Sequence, residues 1–330
     1  MSSYIIGSGT HLPDRVVTNE ELAVQLGLDP ERIFKSSGIR RRRWADAGTT
    51  TSSMAANALG QALTNAEMGA NEIDYLIFGT MTPDRFIPGS ASSIQKTLGL
   101  REIPCLDIRA ACCNALYALQ LASALVTSGA AQNVAICLAE IQSPFLDLSP
   151  KAATLSMLFG DGAAAVIVAA KPREAALEII DINLATDGSY IDDLGIRCPG
   201  SEFGSLPTAQ SLDFTPRMNG QSVILQASRR IVAACRAVLE GNNLSAKDVR
   251  WVVPHQANAN LLAQVMRGLN LSAPECEFVS VMEDLGNTSS ASMGVALDTL
   301  RRSERIQPGD LLLLPAFAAG FTWGAGLCRA

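Results

Sequence analysis

Two adjacent cysteines, Cys112 and Cys113, stand in the stretch DIRAACCNALYAL, between a strand-like and a helix-like segment. Neighbouring cysteines form a disulfide only through a strained ring, and no CxxC or HxxxH pattern nearby supplies further metal ligands. Two interpretations remain. Either both thiols are small core residues, because free cysteine is among the most buried residue types, or one of them is a nucleophile.

Two other side chains with catalytic potential stand at similar junctions. His255, one of only two histidines, follows a strand-like run in WVVPHQAN, and Asn287 precedes a helix-like run in LGNTSSAS. Each has a structural alternative. The histidine is then a hydrogen-bonded core or loop residue, and the asparagine caps a helix, a role that Thr288 or Ser289 would fill as well. Because α/β folds place their chemistry where strands lead into helices, the three junctions together predict a site.

These junctions belong to a regular alternation of strands and helices. Short apolar runs rich in β-branched residues predict strands. They are YIIGSG, IDYLIFGT, NVAICLAE, AAAVIVAA, LEIIDINL, VRWVVPH, CEFVSV and LLLLPAF. Helical stretches such as SMAANALGQALTNAEMG and ASRRIVAACRAVLEGNN lie between them. The alternation predicts an α/β protein with buried sheets.

The chain also resembles itself. ALGQALTNAEMGANEIDYLIF aligns without a gap with ACRAVLEGNNLSAKDVRWVVP, and FGDGAAAVIV resembles FTWGAGLCRA further along. The shared order of these weak matches predicts two similar α/β halves. The N-terminal half, about 1–172, carries the paired cysteines, and the C-terminal half, 173–330, carries His255 and Asn287. A site between two such halves draws residues from both.

Composition narrows the class of protein. The 330 residues are 48% hydrophobic, enough for a large core, and the net charge of −6 argues against a nucleic-acid-binding protein. The eight cysteines have no regular spacing, which indicates reduced thiols in a cytosolic protein. Since neither a signal peptide nor an apolar run of about 18 residues is found, we expect no membrane association.

The residues at the three junctions resemble the β-ketoacyl-acyl-carrier-protein synthase III family of the thiolase superfamily. DIRAAC is similar to the motif of its nucleophilic cysteine, VPHQAN to that of its histidine, GNTSSAS to that of its asparagine, and AFAAGFTWGAGL to its glycine-rich loop. FGDGAAAV and GIRRRRW fit as well, so the resemblance extends nearly from end to end. It implies a homodimeric thiolase fold with α-β-α-β-α layers, in which Cys112, His255 and Asn287 are catalytic.

The resemblance also implies a reaction, a decarboxylative Claisen condensation in fatty-acid or polyketide-type biosynthesis. Cys112, whose thiol pKa we expect to be lowered at a helix N-terminus, takes an acyl group from a thioester. His255 and Asn287 then donate hydrogen bonds to the thioester carbonyl of malonyl-acyl-carrier protein as CO₂ leaves. Backbone N–H groups of Cys112 and Ala319 form the oxyanion hole. The reaction needs neither a cofactor nor a metal.

The sequence departs from the family pattern where its members bind coenzyme A. Arg32 replaces an adenine-stacking tryptophan, Ser36 replaces a phosphate-binding arginine, and the run 151–153 lacks a second arginine. Leu225 and Asn260 replace basic residues that help to dock the carrier protein. Because a planar guanidinium also stacks on adenine, we expect coenzyme A binding to be weakened rather than excluded.

The acyl pocket implied by the resemblance differs as well. The expected substrate-binding residues are Arg32, Arg85, Phe86, Ile87, Phe159 and Phe317. Ile87 aligns with a phenylalanine that reaches across the dimer to cap the pocket. Arg85 is either a solvated loop residue or the receiver of a carboxylate. The Pro/Gly/Ser-rich stretch 198–217 is either a surface loop or a flap over the acyl site.

Arg40 to Arg43 form a basic run in an acidic chain. The run predicts either an ion-paired face or a basic rim that attracts carrier protein or coenzyme A phosphates. Two further hypotheses for the whole chain stay open. One is a specialised relative in secondary metabolism that joins carrier-bound acyl chains or transfers acyl groups without condensation. The other is a non-catalytic partner subunit of the same fold, which we expect to lack one of the three catalytic residues.

Overall fold

Each of the eight apolar runs predicted as strands forms one. The computed structural model describes residues 2–196 and 217–330, so the stretch 198–217 lies outside the described residues except for its last position. The strands are β1 (Tyr4–His11), β2 (Arg15–Thr18), β3 (Arg41–Trp44), β4 (Tyr75–Gly79), β5 (Cys105–Ile108), β6 (Asn133–Glu140), β7 (Gly162–Ala169), β8 (Leu177–Thr186), β9 (Leu194–Gly195), β10 (Arg217–Met218), β11 (Val249–Val252), β12 (Glu277–Phe278), β13 (Leu311–Ala318) and β14 (Thr322–Arg329). The helices are α1 (Asn19–Leu26), α2 (Pro30–Ser37), α3 (Thr51–Asn65), α4 (Ala91–Leu98), α5 (Asn114–Thr127), α6 (Ala153–Ser156), α7 (Gly220–Gly241), α8 (Ala259–Leu269), α9 (Met282–Leu285) and α10 (Ser292–Arg302).

One topology occurs twice in the described part of the chain. Ten strands form a sheet in the order β12-β11-β13-β14-β8-β1-β7-β6-β4-β5. Each half contributes five of these strands, β1 and β4 to β7 from one half and β8 and β11 to β14 from the other. In both halves the first of the five along the chain lies at the centre of the sheet, and the fifth, fourth, second and third follow outward. Parallel and antiparallel pairs also fall at matching positions. Within the sheet, the two halves pair at two residue pairs, between β1 and β8. The division into domains at residue 172 stays a prediction.

Helices cover both outer faces of the sheet halves and fill the space between them. α3 and α4 pack on the N-terminal half, α7 and α8 pack on the C-terminal half, and α5 and α10 lie between the two. The central core joins Ile136 and Val166 of one half, Leu116 of α5, and Trp251 and Leu312 of the other half. This is the α-β-α-β-α layering of the thiolase fold that the resemblance implies. In the described part of the chain, no helix is long and apolar enough to cross a lipid bilayer.

The two central helices begin in the same way. A short 3₁₀ turn precedes each of them, Ala111–Cys113 before α5 and Ser289–Ala291 before α10. The first residue of each turn has a positive φ, 48° at Ala111 and 49° at Ser289, which is uncommon for residues with a side chain. The turns pack against each other. As a result, the N-termini of both central helices meet between the two halves of the sheet.

Arg41 to Arg43 of the arginine run lie on β3, which pairs with β2, and Arg40 directly precedes it. Nε of Arg40 lies 2.8 Å from a carboxylate oxygen of Glu283, and Nε of Arg41 lies 2.7 Å from one of Asp284. Arg42 is fully buried, and its terminal N–H groups donate to buried oxygens. Burial lowers the pKa of Arg42 to about 10. The ion-paired interpretation is therefore confirmed for Arg40 and Arg41, whereas Arg42 and Arg43 donate to uncharged oxygens.

Candidate active site

The three residues predicted to be catalytic line one cavity. Cys112 enters it from the turn before α5, His255 from the segment after β11, and Asn287 from the segment before α10. The cavity has a volume of about 570 Å³ and lies between the two halves. Phe159 and Phe317 form part of its apolar wall. The sequence thus predicted which side chains meet, although they are far apart in the chain.

Cys112 is held within reach of a hydroxyl. Its Sγ lies 3.6 Å from Oγ of Ser289. Burial raises the pKa of the Cys112 thiol to about 11; the hydrogen bond to Ser289 lowers it, and the nearby carboxylate of Glu140 raises it. The pKa is therefore raised rather than lowered as expected, and burial is the largest cause. The thiol is protonated near neutral pH, and acylation requires a group that removes its proton.

Cys113 points away from the cavity into the core. Its side chain is fully buried, and Sγ lies 3.5 Å from the backbone carbonyl oxygen of Thr322 on β14. Burial raises its pKa well above the usual range. The geometry thus separates the paired cysteines into one that faces the cavity and one that packs in the core. The seven described cysteines are free thiols, while Cys198 lies outside the described residues.

His255 is neutral and fixed in place. Its backbone N–H donates to the carbonyl of Pro315, and Nδ1 lies 2.6 Å from Oγ of Ser292. The backbone N–H of Gln256 donates to the same Oγ. Burial lowers the pKa of His255 to about 4, so the ring is uncharged near neutral pH. The Ser292 hydroxyl also donates to the backbone carbonyl oxygen of Ser289 at 3.0 Å. In the tautomer in which this hydroxyl donates to Nδ1 instead, the ring proton resides on Nε2, which is then a hydrogen-bond donor.

Asn287 presents its amide N–H₂ group rather than its oxygen. Oδ1 accepts the backbone N–H of Ser289 at 2.8 Å. The backbone of Asn287 is tied to Leu158 and Gly160 by two hydrogen bonds. Gly286, just before it, has a φ of 67°, and a Cβ there would lie 2.8 Å from the Leu158 carbonyl oxygen. The glycine of the GNTSSAS motif is therefore required to place the asparagine.

The mouth of the cavity is built differently from the family pattern. Exposed Arg32 lines it, as do Ser36 and Asn260. The Asn260 amide donates to the backbone carbonyls of Lys35 and Ser36 at 3.2 Å, and Asn258 also donates to that of Ser36. The asparagine that replaces a basic residue thus holds the end of α2 against the start of α8.

Four predicted site residues lie outside this cavity. Arg85, Phe86 and Ile87 are exposed, and they contribute nothing to the cavity of their own chain. The resemblance places position 87 across the dimer, so the assignment of these three residues to substrate binding stays a prediction. Ala319 lies in a neighbouring cavity of about 620 Å³, together with the backbone that leads to Cys112.

The sequence did not predict that Glu140 and Ser289 lie beside the nucleophile. Glu140 is completely buried at the end of β6, and Ser289 lies between it and Cys112. A signal was present, because Glu140 is the one charged residue in the run NVAICLAE and follows six apolar residues. Lys, Glu, Arg and Asp are almost never fully buried unless they are paired, so a carboxylate in such a strand indicates a specific role.

A cysteine, a histidine and an asparagine in a cavity between two similar α/β halves define a thioester-condensing enzyme of the thiolase fold. Residues 106–188 match the family model for 3-oxoacyl-[acyl-carrier-protein] synthase III, and residues 239–330 match the model for its C-terminal part. The chain belongs to the 3-oxoacyl-acyl-carrier-protein synthase III family, and it is a condensing enzyme of that type.

Named relatives of this family match the chain over nearly its full length. The chain is 38% identical to the β-ketoacyl-[acyl-carrier-protein] synthase III of Paramagnetospirillum magneticum, over 99% of this chain and 98% of the relative. It is 37% identical to that of Methylococcus capsulatus, over 100% of both. The solved synthase III of Aquifex aeolicus superposes with a TM-score of 0.89 at 32% identity, covering 99% and 100%. The priming β-ketosynthase of the R1128 polyketide pathway superposes equally well, at 31% identity, covering 99% and 95%.

Proposed function

We propose that Cys112, His255 and Asn287 carry out an acyltransferase reaction in two stages. Cys112 first takes an acyl group from a thioester, and the acyl-enzyme then condenses with a malonyl thioester. The observation that supports these roles is the convergence of the three side chains on one cavity, with the cysteine thiol, a neutral imidazole and a free amide N–H₂ group. Because all three are present, the hypothesis of a non-catalytic subunit has no support.

The second stage depends on stabilising an enolate. Loss of CO₂ places negative charge on the thioester carbonyl oxygen, and N–H donors that face this oxygen lower the barrier. Nε2 of His255 and Nδ2 of Asn287 are the proposed donors. The enolate carbon then attacks the acyl group on Cys112. The proposed oxyanion hole is formed by backbone N–H groups of Cys112 and Ala319, and no cofactor takes part.

The mouth of the cavity favours acyl donors that are recognised by their pantetheine arm. Among the described lining residues, Arg32 is the single cation, and it is exposed. Ser36 is neutral where the family has an arginine, and the Asn260 amide is engaged with α2. The nucleotide of coenzyme A therefore has little to bind. This supports the specialised relative, with acyl donors recognised by the pantetheine arm, although Leu225 and Asn260 also replace the basic residues that help to dock a carrier protein. The cytosolic location stays a prediction.

An acyl-coenzyme A and the matching acyl-pantetheine should acylate Cys112 with second-order rate constants within about tenfold. An exposed ion pair such as Arg32 with a phosphate contributes only ~1 kcal/mol. Stopped reactions analysed by mass spectrometry give both constants. As a control, Ser36→Arg should increase the rate with acyl-coenzyme A alone. A native preference for coenzyme A above about 100-fold would contradict this proposal.

We further propose that the enzyme is a homodimer, with the loop that carries Phe86 and Ile87 in the interface. The two side chains are 83% and 77% exposed, and the neighbouring β5 is the last strand of the sheet in the described part of the chain. Sedimentation velocity should show a dimer that Ile87→Asp weakens. Val24→Asp, at an apolar position of similar exposure on α1, should leave the dimer unchanged. A monomeric native chain would exclude the proposal.

A further inference from the structure

Glu140 is a buried carboxylate that the proposed reaction does not yet use. It accepts the backbone N–H of Met81 at 3.1 Å and the hydroxyl of Thr82 at 3.0 Å. Oε1 also accepts the hydroxyl of Ser289 at 3.4 Å. Burial raises the pKa of Glu140 to about 7. A carboxylate with this pKa exchanges a proton readily near neutral pH.

Ser289 connects this carboxylate to the nucleophile. Its Oγ lies 3.6 Å from Sγ of Cys112 and 3.4 Å from Oε1 of Glu140. A hydroxyl both accepts and donates, so it can receive a proton from the thiol while it passes its own to the carboxylate. The backbone of Ser289 is fixed as well, because its N–H donates to Oδ1 of Asn287. The three side chains form a continuous path from the cavity to the end of β6.

Little else competes for the proton. The elements packed against β6 are β4, β7, α3, α5 and the turn 289–291, and none contains Asp, Glu, Lys, Arg or His. Their titratable side chains are the phenols of Tyr75 and Tyr117. Asp161 lies near the segment after β6, but its oxygens accept hydrogen bonds from Ala45, Gln142 and Ser143. His255 is a weak base, because burial lowers its pKa to about 4.

We propose that the Ser289 hydroxyl relays the proton of Cys112 to Glu140 during acylation and returns it during condensation. The proposal rests on the proposed role of Cys112 as the acylated nucleophile. It adds a general base to that site, because Glu140 removes the proton that makes the buried thiol unreactive.

The proton balance closes over one cycle. In acylation, Glu140 gains the proton from Cys112 through Ser289, the new S–C bond forms, and the donor's C–S bond breaks. The departing thiolate takes a proton from solvent. In condensation, the malonyl group loses CO₂, its enolate carbon forms the C–C bond, and the bond to Cys112 breaks. The Cys112 thiolate then recovers the proton from Glu140 through Ser289.

The test is the pH dependence of alkylation of Cys112 by iodoacetamide, followed by peptide mass spectrometry. In the native chain the rate should fall as the pH drops through about 7, because Glu140 becomes protonated and no longer accepts the proton. In Glu140→Gln and in Ser289→Ala this inflection should disappear. The rate at pH 7.5 should fall roughly 100-fold in both variants, the contribution expected of a general base.

Thr288→Val is the matched control, since it removes a buried hydroxyl one residue from Ser289 and keeps the side-chain shape. It should retain the native profile. A native profile in Ser289→Ala overturns the relay, and so does a native profile in Glu140→Gln. Iodoacetamide needs no acyl substrate, so loss of the inflection in both variants supports the relay even if no thioester acylates the chain. Conversely, if both variants condense normally and keep the native pH profile of alkylation, the relay is contradicted while the proposed function of Cys112 still stands.

Discussion

Cys112→Ala should abolish formation of the acyl-enzyme, whereas Cys113→Ala should form it at close to the native rate. Sγ of Cys112 faces the cavity, while Sγ of Cys113 lies in the core against the Thr322 carbonyl. Loss of the nucleophile removes the covalent route, and we expect a decrease of roughly 10⁴-fold or more. The readout is the intact mass of each variant after incubation with an acyl thioester.

Thermal unfolding provides the control for this pair. Cys113→Ala removes a fully buried sulfur, and it should lower stability by about 1–2 kcal/mol without changing acylation. Cys112 lies on the cavity wall and is less tightly packed than Cys113, so its replacement should cost less. If Cys113→Ala lost the adduct and Cys112→Ala kept it, the assignment of the nucleophile would be reversed.

His255→Ala and Asn287→Ala should still acylate but fail to decarboxylate malonyl-carrier protein. Each removes one proposed donor to the developing enolate oxygen, and a donor of this kind is worth about 10²–10³ in rate. Release of CO₂ from chains acylated beforehand measures the second stage alone.

Asn287→Asp separates the donor role from the structural one. An aspartate keeps an oxygen that accepts the Ser289 N–H but replaces the N–H₂ group with a second oxygen. It should therefore be as slow in decarboxylation as Asn287→Ala, while its fold and acylation are retained. Variants of His255 or Asn287 that condense at the native rate would exclude the donor roles. If these variants do not acylate, His255 and Asn287 act in the acylation of Cys112 rather than in decarboxylation.

The fold was largely predictable because most strands are apolar and β-branched. β14 was missed, since TWGAGLCR is rich in small residues and resembles a loop. The structure explains the glycines: a Cβ on Gly324 would lie 2.4 Å from the carbonyl oxygen of Asn183 on β8. The close approach of the β14 and β8 backbones therefore requires small residues, and β14 lacks the β-branched side chains from which strands are predicted. β5 is the strand-like segment before the paired cysteines, but it is not among the eight apolar runs because its four residues, CLDI, include a charged one.

The site was predictable only in part. The motifs around Cys112, His255 and Asn287 identified the side chains that meet in the cavity, because each follows a strand or precedes a helix. The thiol pKa was not predictable, since burial depends on the packing of both halves. Glu140 and Ser289 are 149 positions apart in the chain, and their contact arises only where the turn before α10 meets the end of β6.

The acylation and discharge of the native chain test the central claim most directly. Intact-protein mass spectrometry would follow the chain with acyl-coenzyme A or acyl-carrier protein, before and after malonyl-carrier protein is added. We expect an increase of one acyl group, located on Cys112, that disappears on addition of malonyl-carrier protein as a 3-oxoacyl product forms. No adduct from any acyl thioester, or an adduct that malonyl-carrier protein leaves in place, would contradict the proposed reaction.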